Sequence, residues 1–442
     1  MKKAEEFLEK ALPYASAAAG QRHLQAMREA MIHVVPLTLV SSVFVLAARF
    51  PWAGYQDFMT RLLGTGWQSW ESVFLRPALL GIIAYVGAVS AATSLSKSYG
   101  HDGTQAGILG LAAFALLTVQ FRIRGGDADG MTHMVSMEAA VSQAGFEGRQ
   151  LWLAMLCGLA AAELQHRTAG KQYLKKLLPA FARSIEPMFP LLLVVLLFGG
   201  IRVTGSLVIG AVYGASPSKL SFCDIWMSFV QRPLFRLGTS LPATLFLQAA
   251  NSFFWGLGLH GAQLVNAVML PVWSTQMMEN LQTFTTGGAV MPNIVTKQFI
   301  ELFIWIGGSA GSLSLVLWIK LFARSKHVKQ IGKMALIPAL FNIDEPIVFG
   351  LPVALNPILI IPFILAPLAT TAFSYLTMRL GIFPIPCGID LPWTTPVLLG
   401  GFLATGGNPM GAVLQICNMV ISFMIYTPFI YVYDKRMAET EI

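Results

Sequence analysis

The chain has 442 residues, 55% of them hydrophobic and 12% charged, with a formal net charge of +8 and a mean hydropathy of +0.63. Soluble domains are roughly 45–50% apolar and about 25% charged, so this composition excludes an ordinary water-soluble class and points to lipid. The positive balance does not indicate a nucleic-acid binder, because the cations form short segments beside apolar runs, as cytoplasmic loops of membrane proteins do.

In chain order, residues 1–30 read as a cytoplasmic amphipathic helix, with Phe7, Leu8, Ala11 and Leu12 recurring among Lys and Glu. No cleavable secretory signal is expected, since charge runs through this stretch. Apolar windows suited to crossing about 30 Å of hydrocarbon follow at 31–50, 77–96, 104–121, 149–164, 187–212, 301–322, 354–378 and 410–433. Windows 240–262 and 383–403 are apolar but rich in Gly and Pro, and are expected to be broken or re-entrant. The fold class predicted is an all-α polytopic membrane protein of about ten transmembrane helices, with re-entrant hairpins and interfacial amphipathic helices. The polar loop at 122–148 is expected outside. The cation-bearing segment at 165–187 is expected to be an interfacial helix. The basic segments at 167–183 and 324–333 and at Lys435–Arg436 place both termini in the cytoplasm. The expected division is an N-terminal tail at 1–30, a helix bundle with its linking helix at 31–183, and a second bundle at 184–442. The four cysteines show no CxxC spacing and read as structural.

After residue 235 the apolar runs are interrupted by GLGLHGA, TTGGAVMPN, NIDEPIVFGLP, ALNP, FPIPCGIDLPWTTP and GGFLATGGNPMG. Irregular backbone at membrane depth persists only where protein or a wet cavity surrounds it, so a substrate site is expected here. Glu345 stands first among candidates. An intramembrane carboxylate must face a cavity, be paired or be protonated, and Pro346 disfavours helix at Glu345. Such a group can accept a hydrogen bond from a sugar hydroxyl and act as a general base. Asp344 reads as a capping or orienting residue rather than a second base. His260, among Gly256, Gly258 and Gly261, can donate to a hydroxyl or relay a proton, or be a satisfied packing residue. Trp255 and Trp393 suit sugar stacking, although Trp is also common at membrane interfaces. Lys297 and Glu301 are spaced i, i+4, and a helix-end ion pair is favoured over sugar contact. Asn342 and Asn356 can bind hydroxyls or satisfy backbone. There is no G-x-x-x-x-G-K-[ST] loop, no metal-spaced His/Cys cluster and no G-x-S-x-G turn. No cofactor or metal is therefore expected.

Taken together, HLQAMREAMIHVVPLTLVSSVFVL at 23–46, WGLGLHGA at 255–262, FIWIGGSAGSLSLVL at 303–317, FNIDEPIVFGLPVALNPILIIPFILAP at 341–367 and PWTTP at 392–396 resemble a known family. It is the membrane-embedded IIC component (permease) of the bacterial phosphoenolpyruvate-dependent sugar phosphotransferase system, in its lactose/cellobiose/diacetylchitobiose branch. The resemblance implies a homodimeric permease of the inner membrane. Its N-terminal bundle would form the dimer contact, and its second domain would carry the sugar by an elevator-like motion. It further implies that His260 and Glu345 lie near the C6 hydroxyl of the sugar, with Trp255, Gly258 and Trp393 lining the site. Phosphate would come from a phosphocysteine on a separate cytoplasmic IIB protein, supplied by IIA. The chain departs from the family pattern at Asp344, usually asparagine, at Gln298, commonly proline, and at Glu301, frequently aspartate. Asp344 adds a potential negative charge beside Glu345, so the particular sugar and linkage stay open. Competing readings are an ion-coupled secondary sugar transporter without phosphorylation, in which Glu345 and His260 carry protons, and a sugar-binding sensor that does not transport.

Overall fold

The computed structural model describes residues 21–50, 52–118, 122–123, 135–136, 150–169, 188–213, 226–351, 353 and 356–441. The described chain is all-helical apart from a two-residue antiparallel ribbon that pairs Arg122 with Ser136 and Ile123 with Val135. The main helices are α1 (Arg22–Arg49), α2 (Ala53–Leu63), α3 (Ile83–Ser98), α4 (Gly103–Thr118), α5 (Leu151–Thr168), α6 (Met188–Tyr213), α7 (Leu241–Gly256) and α8 (Gly261–Thr285). They continue with α9 (Ser312–Phe322), α10 (Lys326–Leu340), α11 (Glu345–Gly350), α12 (Pro357–Arg379), α13 (Leu399–Ala404) and α14 (Pro409–Thr440). Among the described residues α1, α6, α12 and α14 are long and apolar enough to cross a membrane, and α4 and α9 are shorter apolar helices.

Several expectations change. The tail helix expected over 1–30 lies outside the described residues up to position 20, and from Arg22 the chain is already in α1. The window 301–322 is not one span. It is a π-helical turn at Phe299–Ile304, a glycine-rich bend and the 11-residue α9. Gly307 and Gly308 at φ 79° and 124° and Gly311 at φ 69° take backbone that an L side chain rarely adopts, and so break the window. The window 240–262 is not broken within its apolar run. α7 is continuous to Gly256, and only then does the chain turn into α8. The window 383–403 is irregular as expected, with only α13 helical at its end. The polar loop is outside the described residues save for the ribbon, and the interfacial segment at 165–187 is described only up to 169, where it ends α5.

The expected boundary near 184 lies outside the described residues. Two compact units are found. One comprises 20–38 with 74–236, the other 1–19, 39–73 and 237–442. In the first, α3, α4 and α5 pack closely because small residues face one another. A Cβ on Gly158 would sit 2.3 Å from the Ala88 carbonyl oxygen. Leu109, Ala113, Phe114, Ala154 and Val194 fill the core. A polar cluster closes one end: Tyr99 donates to Glu163, which also accepts from His23, and the Tyr99 ring stacks on His166.

In the second unit α14 packs against α9, α12, α13 and the π-helical turn. Trp318, Ile319, Ile331, Leu351, Leu359, Phe363, Tyr426 and Ile430 form its core. Local sequence explains the helix starts. In ALNP and GGNP the asparagine caps and the proline opens the helix. Asn356 accepts from the Ile358 N–H at 3.1 Å to begin α12, and Asn408 accepts from the Met410 N–H at 3.0 Å to begin α14. Asn356 therefore satisfies backbone rather than facing a ligand.

Candidate functional site

The stretch FNIDEP forms a helix end and a helix start within six residues. α10 closes on Asn342, a left-handed residue at φ 61°. There the Ile343 N–H donates to the Pro338 carbonyl at 3.0 Å, and that of Asn342 donates to Ala339 at 3.1 Å. This is the six-to-one closure that usually recruits glycine, and asparagine is among the few other residues that tolerate it. Its side chain is used as well. Asn342 Oδ1 accepts from Gly307 N at 2.8 Å, and Nδ2 donates to the carbonyls of Trp393 at 2.7 Å and Thr395 at 3.1 Å. One amide thus joins the glycine bend, the α10–α11 turn and the PWTTP segment.

Asp344 occupies the capping position of α11 but makes no side-chain cap bond to it. Its Oδ2 instead accepts from Ser309 N at 2.6 Å, and the residue is 4% exposed. It orients the glycine bend, a role within the expected range, though toward a distant segment rather than its own helix. Gly308 lies against it, and a Cβ there would come 2.2 Å from the Cβ and Cγ of Asp344. The bend is further held by Asn251 Nδ2 donating to Ser309 O at 3.1 Å and by Tyr426 donating to Ala310 O at 2.9 Å.

His260 sits at the start of α8, after a turn that Gly258 makes at φ 77°. Its Nδ1 accepts from Gln263 N at 3.3 Å, which in the neutral ring leaves the proton on Nε2. Nε2 lies 3.8 Å from Glu345 Oε1. That separation exceeds a hydrogen bond, so the two groups are not bonded to each other, and a hydroxyl lying beside the pair can be within hydrogen-bond distance of both. The other carboxylate oxygen, Oε2, is buried with no hydrogen-bond partner, as is Oδ1 of Asn266 nearby. Buried polar atoms are normally satisfied, so these two are ready to receive a donor from a ligand.

A cavity of about 330 Å³ opens over this pair. His260 and Glu345 line it with Asp344, Asn342, Glu301 and Trp393, and Asn266, Gln263, Trp305, Gly308 and Ser309 complete the polar wall. Trp393 is half-exposed and offers a ring to an occupant. Three expected site residues are placed elsewhere. Trp255 is buried behind His260, with ring centroids 4.4 Å apart, and packs the imidazole rather than lining the cavity. Gly258 shapes the turn and is not among the lining residues. Lys297 is buried, with its Nζ 2.8 Å from Asp390 Oδ1 and 4.0 Å from Glu301 Oε2. The i, i+4 pair is present, but the closer partner is Asp390, 93 positions away.

Asp390 escaped the sequence reading, although an acid in the irregular GIDLPW stretch was the signal. Gln415 and Asn418 escaped it too. Their Nε2 and Nδ2 groups donate to carbonyls of the π-helical turn: Gln415 to Leu302 at 2.6 Å and Asn418 to Phe303 at 2.8 Å. Two amides three residues apart in an apolar run are unusual enough to have drawn notice.

The comparisons agree with this architecture. Residues 28–367 match the family model described as "Phosphotransferase system, EIIC". The chain is 36% identical to the lichenan permease IIC component of Bacillus subtilis (strain 168), covering 100% of this chain and 96% of that one. It is equally 36% identical to the cellobiose-specific EIIC component of Geobacillus stearothermophilus, over 98% of this chain and 94% of that one. Among solved structures it is similar to the transporter ChbC, the IIC component from the N,N'-diacetylchitobiose-specific phosphotransferase system. There the TM-score is 0.85 and the identity 32%, covering 98% of this chain and 99% of that one. The chain belongs to the EIIC family of the phosphotransferase system, and is an integral membrane permease component.

Proposed function

We propose that this protein is a bacterial inner-membrane permease that takes a β-linked disaccharide into the cavity over His260 and Glu345 and presents its C6 hydroxyl for phosphorylation by phospho-IIB. The observation that carries this reading is the 3.8 Å gap between His260 Nε2 and Glu345 Oε1, at the floor of a cavity of about 330 Å³. Small-molecule sites commonly run from about 300 to 1,000 Å³. A primary hydroxyl lying beside that pair accepts from the imidazole N–H and donates to the carboxylate. As the hydroxyl oxygen attacks phosphorus, the S–P bond of phospho-IIB breaks and its cysteine leaves as thiolate, Glu345 receives the hydroxyl proton, and the positioning supplies most of the remaining catalysis. Trp393 offers its ring to an apolar sugar face, and Asn342 and Asp344 hold the walls. The charged product does not return through lipid, which makes uptake one-way. Relatives named for cellobiose and for oligo-beta-mannoside support a β-linked sugar.

In this reading the chain works as a homodimer. The unit holding the cavity moves across the membrane as an elevator, and both termini lie in the cytoplasm, where IIB docks with IIA upstream. Uptake into membrane vesicles with and without phosphorylated IIB tests the core of it. Sugar phosphate should accumulate only with IIB. Glu345→Gln should still bind sugar while phosphorylation falls by about 10²–10⁴-fold. Accumulation of unmodified sugar driven by a proton gradient, with IIB irrelevant, would replace this reading with the ion-coupled one.

A further inference from the structure

The cavity wall has an unbalanced charge. Glu301, Asp344 and Glu345 all line it, against the single imidazole of His260, and no Lys or Arg is among its described lining residues. The nearest ammonium, Lys297, is buried behind the wall and is engaged mainly by Asp390 at 2.8 Å, with Glu301 at 4.0 Å. That group therefore holds two carboxylates to one cation. Asp344 is buried, and its recorded partner is the Ser309 N–H rather than a cation. The Oε2 of Glu345 has no partner. A wall of carboxylates in which one Glu345 oxygen has no partner stabilises a ligand that brings positive charge and N–H donors more than one that brings hydroxyls alone.

We infer that Asp344 is a specificity-determining residue that tunes this cavity toward β-linked disaccharides bearing a free amino group, carried as ammonium, over neutral or N-acylated ones. The inference rests on the permease reading above and names its substrate class. The same wall repels the phosphate group once it is attached, so the acidic lining also favours release of the phosphorylated product. Asp344 acts both directly, as a carboxylate at the wall, and through the Gly308–Ser309 bend that it anchors. Removing its charge while keeping an acceptor for Ser309 separates these two effects.

The test uses the full chain in lipid nanodiscs and three probes: β-1,4-linked glucosamine disaccharide, its N,N'-diacetyl form and cellobiose. Affinities are measured at about pH 7.5, where a sugar amine is still protonated in about half of the molecules or more and carboxylates are ionised. The wild type should bind the diamine about tenfold more tightly than cellobiose, and Asp344→Asn should shrink that ratio to near unity. Glu301→Gln should reduce it as well. The ratio is the readout, so a general loss of affinity through a loosened bend does not mimic the effect. Equal or tighter binding of cellobiose by the wild type, or an unchanged ratio in Asp344→Asn, overturns the inference. Binding and IIB-dependent phosphorylation of cellobiose with rejection of the diamine would leave the permease reading standing and remove only this one. Failure to bind any of the three sugars would count against both.

Discussion

Gly308 shows how one residue carries the site. At φ 124° it needs backbone freedom, and its missing Cβ makes room for the Asp344 side chain. Gly308→Ala should cost about 1–3 kcal/mol in backbone strain and displace Asp344, lowering both the thermal midpoint in detergent and sugar affinity. Gly287 also has positive φ, at 82°, but nothing lies within 4 Å of its would-be Cβ. Gly287→Ala should therefore show only a modest loss of stability, with sugar affinity intact. Asn342 is the other pivotal residue, because its left-handed backbone and three side-chain hydrogen bonds depend on one another. The importance of FNIDEP was legible in the sequence, since adjacent acids before proline in an apolar run demand an explanation. The partner of Asp344 was not legible, because Ser309 lies 35 positions away and nothing in its local pattern singles it out.

At the scale of elements, the π-helical turn at Phe299–Ile304 is held by side chains from elsewhere. A wide turn leaves backbone groups without the regular helical partners, and lipid supplies none. The Gln415 side chain on α14 donates to Leu302 O and accepts from the N–H groups of Leu398 and Gly401 at 2.8 and 2.9 Å. Gln415→Leu would strand three backbone groups at about 1–3 kcal/mol each. The expected outcome is a steep fall in the thermal midpoint, together with faster proteolysis at 395–405. The pair Lys297–Asp390 ties the same turn to the segment leading into PWTTP. Lys297→Met leaves two carboxylates buried without their cation, and breaking a buried pair in this way costs about 3–5 kcal/mol. It should destabilise the protein more than Asp390→Asn, which keeps an acceptor for Lys297 and removes an excess negative charge. Unfolding midpoints of the two variants, measured side by side in one detergent, check the order.

At the scale of the whole molecule, the surface is unlike that of a soluble protein. Leu191, Leu192, Leu196 and Leu197 on α6 and Ile416, Val420 and Met424 on α14 are exposed large apolar residues, as expected where the solvent is hydrocarbon. At the C-cap of α14 the Glu441 side chain reaches the start of α10. Glu441 accepts from the Ser325 hydroxyl and from the backbone N–H groups of Lys326 and His327, capping the first turn of that helix. The Ser325 hydroxyl and these amides hold the Glu441 carboxyl down at about 2, below its usual 4.5. A depressed carboxyl stabilises the contact above the ordinary carboxylate range, and the stabilisation fades as pH falls from about 4.5 toward 2. Glu441→Gln should therefore expose the α10 start to proteolysis at neutral pH, and the difference from wild type should vanish near pH 2 as measured with an acid-active protease.

The sequence by itself determined the solvent, the helical class, the places where apolar runs break, and His260 and Glu345 as separate candidates within those breaks. Each of these is written locally, in composition or in the conformational limits of Gly, Pro, Asn and Asp. Only the tertiary structure decided which polar group meets which. It set Trp255 behind His260 rather than in the cavity, gave Lys297 to Asp390, turned Asp344 toward Ser309, and sent α14 amides to the π-helical turn. Those choices join residues up to 115 positions apart. They follow from the need to satisfy every buried polar group within a medium that offers no water, a requirement on the whole fold that no local pattern expresses.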